Sequence, residues 1–217
     1  ILEKGDIFNI PTGIFRGFEN IGKDYGMLMA ILGGDDAGGG VIWAPEVLKE
    51  AENHGLVLSE KGKIYDTKIG QQMPSNETLM KPLTEKELQN FPEYTTDEVV
   101  PKYVARYLDL YSLSKNNPAK VIGENGKIYD KPGFEVEFIT ENSFENIKNT
   151  YNKDVVFMPV EGYWMLNSKN YNLILNPGDT FSLPKNNEFT LNPTKPGMAT
   201  LYKVIPTDDR PGPTSRK

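Results

Sequence analysis

Gly5-Asp6-Ile7-Phe8-Asn9-Ile10-Pro11 returns near the other end of the chain as Gly178-Asp179-Thr180-Phe181-Ser182-Leu183-Pro184, and this pair of heptads decides how the sequence is read. Five of the seven positions are identical or hold a branched aliphatic residue in both copies. Each copy has the form of a turn followed by a strand that closes on proline. Each is followed by a further alternating run and then by Gly-Met: Gly26-Met27 begins 21 residues after Gly5, and Gly197-Met198 begins 19 residues after Gly178. A pattern of turn, strand, proline, strand, turn, strand in two distant places reads as two related all-β units, the first lacking its front.

Outward from the second copy the pattern is period two. Phe134, Val136 and Phe138 alternate with Glu135 and Glu137; Val155-Val156-Phe157-Met158 is a buried run; Tyr163-Trp164-Met165-Leu166 and Tyr171, Leu173, Leu175 follow, with turn residues between. About eight short strands at this spacing fit a sandwich or small barrel. The 20 Gly and 16 Pro in 217 residues agree with many turns and argue against a helix bundle. Outward from the first copy, Ile1-Leu2-Glu3-Lys4 reads as the end of a strand with no charged leader or apolar core before it. Either a leader has been removed or the chain begins partway through a larger fold.

The middle changes character. Trp43-Ala44-Pro45 to Glu52 reads as a helix with Pro at its start and Asn53-His54-Gly55 as its stop. Thr84 with Glu87 three residues on is a capping box. Thr96 to Ser112 is expected to form one helix, capped by Thr96 or Asp97, with Val100, Val104, Tyr107, Leu108 and Tyr111 as its apolar stripe and Pro101 near its first turn. A smaller repeat, Gly62-Lys63-Ile64-Tyr65-Asp66 and Gly126-Lys127-Ile128-Tyr129-Asp130, reads as two similar turns, each with a short strand behind it. The boundaries that follow are 1–42 for the rear of a first β unit, 43–118 for a helical connector, 119–206 for a second β unit and 207–217 for a terminal arm.

Composition removes several functions. The net charge of −6 disfavours non-specific nucleic-acid binding, which needs a basic stripe. With no Cys there is no disulfide, thiolate metal site or Cys nucleophile. One His, at a helix end, leaves no Ser-His-Asp arrangement and no site built on several imidazoles of this chain. The longest apolar stretch, Met27 to Leu32, is far too short to span a bilayer, so no membrane partner is expected. Absence of Cys and of a visible signal points to a cytoplasmic location.

The heptads resemble the second conserved motif of cupins, G-x5-P-x-G-x2-H-x3-N. In the first copy Gly5, Pro11, Gly13 and Asn20 fall in place, while the metal-ligand His position is Arg16. In the second, Gly178 and Pro184 match, but the second Gly is Asn186, the His position is Phe189 and the final Asn position is Pro193. The chain is thus similar to the C-terminal portion of a bicupin of the quercetin or gentisate dioxygenase kind. The resemblance implies a mainly β fold: two jelly-roll units joined by a helical connector, the first incomplete at its N-terminus. It also implies that a divalent metal (Fe, Mn, Ni, Cu or Zn) would be held by a segment upstream of residue 1. No cofactor is expected to be held by this chain. The earlier metal motif of the second unit should end near Gly162, and no His lies there.

Alternation on a strand 14–20 would put Ile14, Arg16 and Phe18 on the ligand-facing side, and on 187–192 it would put Asn187, Phe189 and Leu191 there. Arg cannot ligate a metal but pairs well with carboxylate or phosphate, so Ile14, Arg16 and Phe18 are candidate substrate-binding residues. Tyr163 and Trp164 are candidates for a pocket in the second barrel. Gly33 to Gly40, with Asp35 and Asp36, lacks the ending of a phosphate loop and reads as a turn at a barrel exit. Two functions stay open: part of a metal-dependent oxygenase, for which this chain supplies a pocket wall and a metal-free supporting barrel, or a non-catalytic bicupin that binds a small molecule or serves as a structural or storage barrel. A half barrel exposes strand edges, so residues 1–33 are expected to need a missing barrel half or a second chain, and a homodimer is expected.

Overall fold

The computed structural model describes residues 1–10, 13–32, 42–144, 150–195 and 197–207. The glycine-rich loop 33–40, Pro11 and residues 208–217 of the terminal arm lie outside the described residues. In chain order the elements are β1 (Ile7–Phe8), α1 (Pro45–Asn53), β2 (Leu56–Leu58), β3 (Ile64–Asp66), α2 (Glu85–Leu88), α3 (Thr96–Tyr103), β4 (Val104–Ala105), α4 (Tyr107–Leu113), β5 (Ala119–Ile122), β6 (Phe134–Thr140), β7 (Val155–Glu161), β8 (Trp164–Ser168), β9 (Asn172–Leu175), β10 (Phe181–Leu183), β11 (Phe189–Pro193) and β12 (Thr200–Pro206). They fall into two compact units. One is drawn from Ile1–Asn9, Asp24–Gly33 and Thr95–Arg210, the other from Ile10–Lys23, Gly34–Tyr94 and Pro211–Lys217.

The larger unit is built on two antiparallel sheets. One has the order β10-β7-β12-β6-β5 and the other β11-β8-β9. Early strands pair with late ones in a nested way: β6 with β12, β7 with β10, and β8 with β9. That nesting is the winding of a jelly roll. Between the sheets lies an apolar core centred on Trp164, Phe157, Leu166, Leu201, Ile139, Phe189 and Leu191. A second core covers the outer face of the five-stranded sheet, where Phe134, Val136, Phe138, Met158, Tyr202 and Val204 meet Leu110 of α4 and Val121 and Ile128. The sheet is therefore buried on both sides, and the apolar face of β6 that alternation picks out faces the helix rather than the inside of the roll.

The repeated heptads share one turn. Asp6 N–H donates to the Glu3 carbonyl at 3.0 Å, and the Asp6 carboxylate accepts from Glu3 N–H at 3.1 Å. Asp179 does the same with Asn176, at 3.0 and 2.7 Å. Gly5 and Gly178 sit between at φ 82° and 91°, a backbone region that any side chain would strain. At Gly5 a Cβ would also lie 2.4 Å from the Tyr107 ring.

Asp6 is further held by the Tyr107 N–H at 2.9 Å and Arg106 at 2.6 Å, with its side chain 4% exposed. Burial alone would raise its pKa; the backbone N–H groups of Tyr107 and Glu3 and the Arg106 guanidinium outweigh that and hold it below the usual carboxylate value. A depressed carboxylate stabilises the fold above its unfolded pKa, and the contribution is lost as pH falls through the lower folded value. Urea unfolding from pH 5 to pH 2 should therefore lose more stability in the native chain than in Asp6→Asn; equal slopes would contradict this role.

The helix expected over 96–112 is broken in two. Thr95, not Thr96 or Asp97, is its cap, in a capping box with Glu98. Pro101 lies inside α3, and Val104–Ala105 leave helical geometry to pair with Phe8 and Ile7. The strand pairing of β4 outweighs the helical stripe. α4 then lies on the sheet, with Tyr111 Oη donating to Glu141 at 2.6 Å, a bond that pushes the phenol up to about 12. The helix at Pro45 and the Thr84–Glu87 capping box form as expected. In the small repeat Ile64–Asp66 is a strand, whereas Ile128 makes only an isolated bridge to Ile122.

The smaller unit holds α1, the hairpin β2–β3 and α2. Residues 14–20 form no strand in it, contrary to expectation; they run without ladder partners among the described residues, and Phe15 stacks on Phe91 with ring centroids 4.9 Å apart.

Candidate functional site

The inner face of β12 carries Leu201, Lys203 and Ile205, so a lysine interrupts an apolar row. Alternation forces Lys203 inward between its neighbours, because the intervening Tyr202 and Val204 face the outer core. Its side chain is 5% exposed. Glu137 lies directly opposite on β6, and its carboxylate takes the ammonium at 2.5 Å. Tyr151 Oη accepts from the same ammonium at 2.9 Å, and the ammonium also lies 4.8 Å from the Tyr151 ring centre. A buried cation is tolerable only when paired in this way. Nearer the sheet edge a second pair, Lys120 with Glu135 at 2.9 Å, is partly exposed.

Tyr151 joins this charged cluster to Phe189. The two rings stack at 5.9 Å, and Phe189 packs on Phe157 at 5.5 Å. Phe189 stands where the cupin motif has its metal-ligand His. Alternation over 187–192 places Phe189 on the inner face, but sequence reading misses the cluster of Lys203, Glu137 and Tyr151. The signal was present in Leu201-Tyr202-Lys203-Val204-Ile205, one charge within an otherwise apolar central strand.

These residues do not fit a first-row metal ion. An aromatic ring, a phenol and an ammonium offer no set of imidazole and carboxylate donors converging on one point. Among the described residues no three His, Cys, Asp or Glu are grouped to hold a metal ion. A shallow depression of about 290 Å³ opens beside Phe189, lined by Asn167, Ser168, Glu188 and Thr190.

The other sequence candidates are scattered. Trp164 is wholly buried in the inter-sheet core, edge-on to Phe144 at 6.3 Å, while the adjacent Tyr163 is exposed. Its Nε1 is buried with no hydrogen-bond partner among the described residues. Ile14, Arg16 and Phe18 belong to the smaller unit; Ile14 is half-buried, Arg16 and Phe18 are exposed, and Arg16 makes no ion pair with a described residue. His54 caps α1 and meets Glu50 at 3.0 Å. Among the described residues no helix is long and apolar enough to cross a membrane.

No family model matches the chain, and no curated protein matches it. Solved structures that resemble it include a cupin-2 domain protein from Shewanella frigidimarina, at 15% identity over 47% of this chain and 93% of that one, TM-score 0.35. A cupin 2 domain-containing protein from Halorhodospira halophila is similar at 16% identity over 46% of this chain and 72% of that one, TM-score 0.36. A DMSP lyase from Ruegeria pomeroyi is similar at 10% identity over 46% and 51%, TM-score 0.36. By its own nested strand order, the β unit that begins at β5 and ends at β12 has a jelly-roll fold.

Proposed function

We propose that the jelly roll of residues 119–206 is a metal-free supporting barrel of a cupin-type two-barrel protein, without chemistry of its own. One arrangement carries the reading: Phe189, Tyr151 and the Lys203–Glu137 pair fill the part of the interior where a metal would need converging ligands. A fixed ammonium in that enclosed space also opposes a second cation. On this reading the metal-dependent oxygenase chemistry implied by the motif belongs to the first barrel, with ligands outside this chain. Arg16, exposed and without an ionic partner among the described residues, would offer its guanidinium to an anionic substrate group. The loss of imidazole at both motif positions favours a second reading, a non-catalytic two-barrel protein that holds a small molecule.

Metal analysis tests the first claim. The purified 217-residue chain, incubated with Fe, Mn, Ni, Cu and Zn salts and desalted, should retain far less than one ion per chain. A stoichiometric ion that survives desalting would overturn it.

A further inference from the structure

The three-stranded sheet has one face that the core of the jelly roll does not use. Trp164, Leu166, Leu175, Phe189 and Leu191 point inward, so alternation turns the residues between them outward. The register sets these in rows across the strands: Thr190, Asn167 and Asn172 stand side by side, and so do Asn192, Met165 and Ile174. Rows lie about 6.8 Å apart along the strands, and neighbouring strands about 4.8 Å apart, on the scale of a pyranose ring. A bond from Thr194 N–H to the Tyr163 carbonyl at 2.9 Å carries the ladder further and puts Tyr163 on the same face beyond Met165. Tyr163 and Ile174 are each 53% exposed.

The chemistry of this face departs from the rest of the chain. Charged residues make up 25% of the sequence, yet the two rows hold none. Among the described residues, nothing hydrogen-bonds to the side chains of Asn167, Asn172, Asn192 or Thr190. Beside the first row lies the depression of about 290 Å³, at the lower bound of small-molecule sites. Of its polar lining side chains only Ser168 is already engaged, its Oγ accepting from Asn170 N–H at 3.4 Å. A nucleic acid or an anionic membrane would need basic residues here. A protein interface would need a dry apolar centre larger than Met165 and Ile174. A neutral polyol suits the face: each amide offers donors and an acceptor to adjacent hydroxyls, and an exposed tyrosine ring offers an apolar surface to the C–H side of a sugar.

We infer that the outer face of β11, β8 and β9 binds a neutral oligosaccharide. Asn167, Asn172 and Thr190 hold its hydroxyls, one ring sits in the depression beside Glu188, and a more distant ring stacks on Tyr163. The four residues from Tyr163 to Asn167 span about 13 Å, which calls for a short chain of sugars rather than one. The inference rests on the outer surface of the roll and not on its interior, so its failure leaves the metal-free reading untouched.

Two-dimensional NMR of the 217-residue chain, titrated separately with cellotriose, maltotriose, xylotriose and mannotriose, tests it. At least one of the four should bind with millimolar affinity and shift amide signals confined to 163–174 and 188–194. Asn167→Ala and Tyr163→Ala should each weaken that binding about five- to tenfold, the loss of one good contact, with urea midpoints unchanged. Tyr129→Ala, at another exposed tyrosine, should bind as the native chain does. No shift with any of the four sugars, or binding that survives both substitutions, would overturn the inference. So would shifts of the same amides that grow with protein concentration in the absence of sugar, which would make the face a contact between copies of this chain.

Discussion

Trp164→Ala should lower the unfolding free energy by roughly 3–5 kcal/mol, the range for deleting a fully buried large aromatic side chain. Trp164 lies at the start of β8, paired with Leu175 of β9 and Pro193 of β11, and its ring fills the space between the two sheets. Trp164→Phe separates packing from polarity. It keeps an aromatic ring and removes an indole N–H that is buried without a partner among the described residues, so part of the lost volume is offset. The Phe variant should lose less than about 1.5 kcal/mol, the usual cost of a modest change of core shape. Urea unfolding of both variants measures this. Equal, small losses would mean that Trp164 does not lie in the core.

The second large effect is in the charged row. Glu137→Leu leaves the Lys203 ammonium buried with only the Tyr151 hydroxyl, and removing one partner of such a pair costs about 3 kcal/mol. Replacing both partners, Lys203→Met with Glu137→Leu, should come within about 1 kcal/mol of the native chain, because no unpaired charge is left. The prediction therefore concerns non-additivity: the double variant is more stable than the single one. A double-mutant cycle in urea at pH 7 gives the coupling. A coupling near zero would place Lys203 in solvent rather than inside the roll.

The turns were the most legible part of the sequence. Gly-Asp followed by a strand and proline is a local code, and Gly5–Asp6 and Gly178–Asp179 adopt the same hydrogen-bonded turn. The cap at Thr84 with Glu87 was legible for the same reason, whereas the next helix is capped by Thr95 rather than by Thr96 or Asp97. Phe189 and Leu191 were correctly placed inside, since period two on a short strand leaves little choice. What failed was non-local. Val104 fits the helical stripe, and only the pairing of Val104 and Ala105 with β1, about a hundred residues away, shows why the helix breaks there. The strand expected over 14–20 has the right alternation but no ladder partner among the described residues. Alternation of Phe134, Val136 and Phe138 with Glu135 and Glu137 marks one apolar face of β6, whereas this sheet is packed on both faces. The Lys203–Glu137–Tyr151 cluster brings together three distant positions, and no spacing rule could have joined them.

The central claim is that an aromatic ring and an internal ion pair stand inside this barrel in place of a metal centre. It is most directly tested by diffraction from crystals soaked in Mn, Fe and Zn salts, with data collected at each absorption edge. The account predicts no anomalous peak between the two sheets and a Phe189 ring stacked on Tyr151. A peak inside the roll within bonding distance of three protein atoms would contradict it.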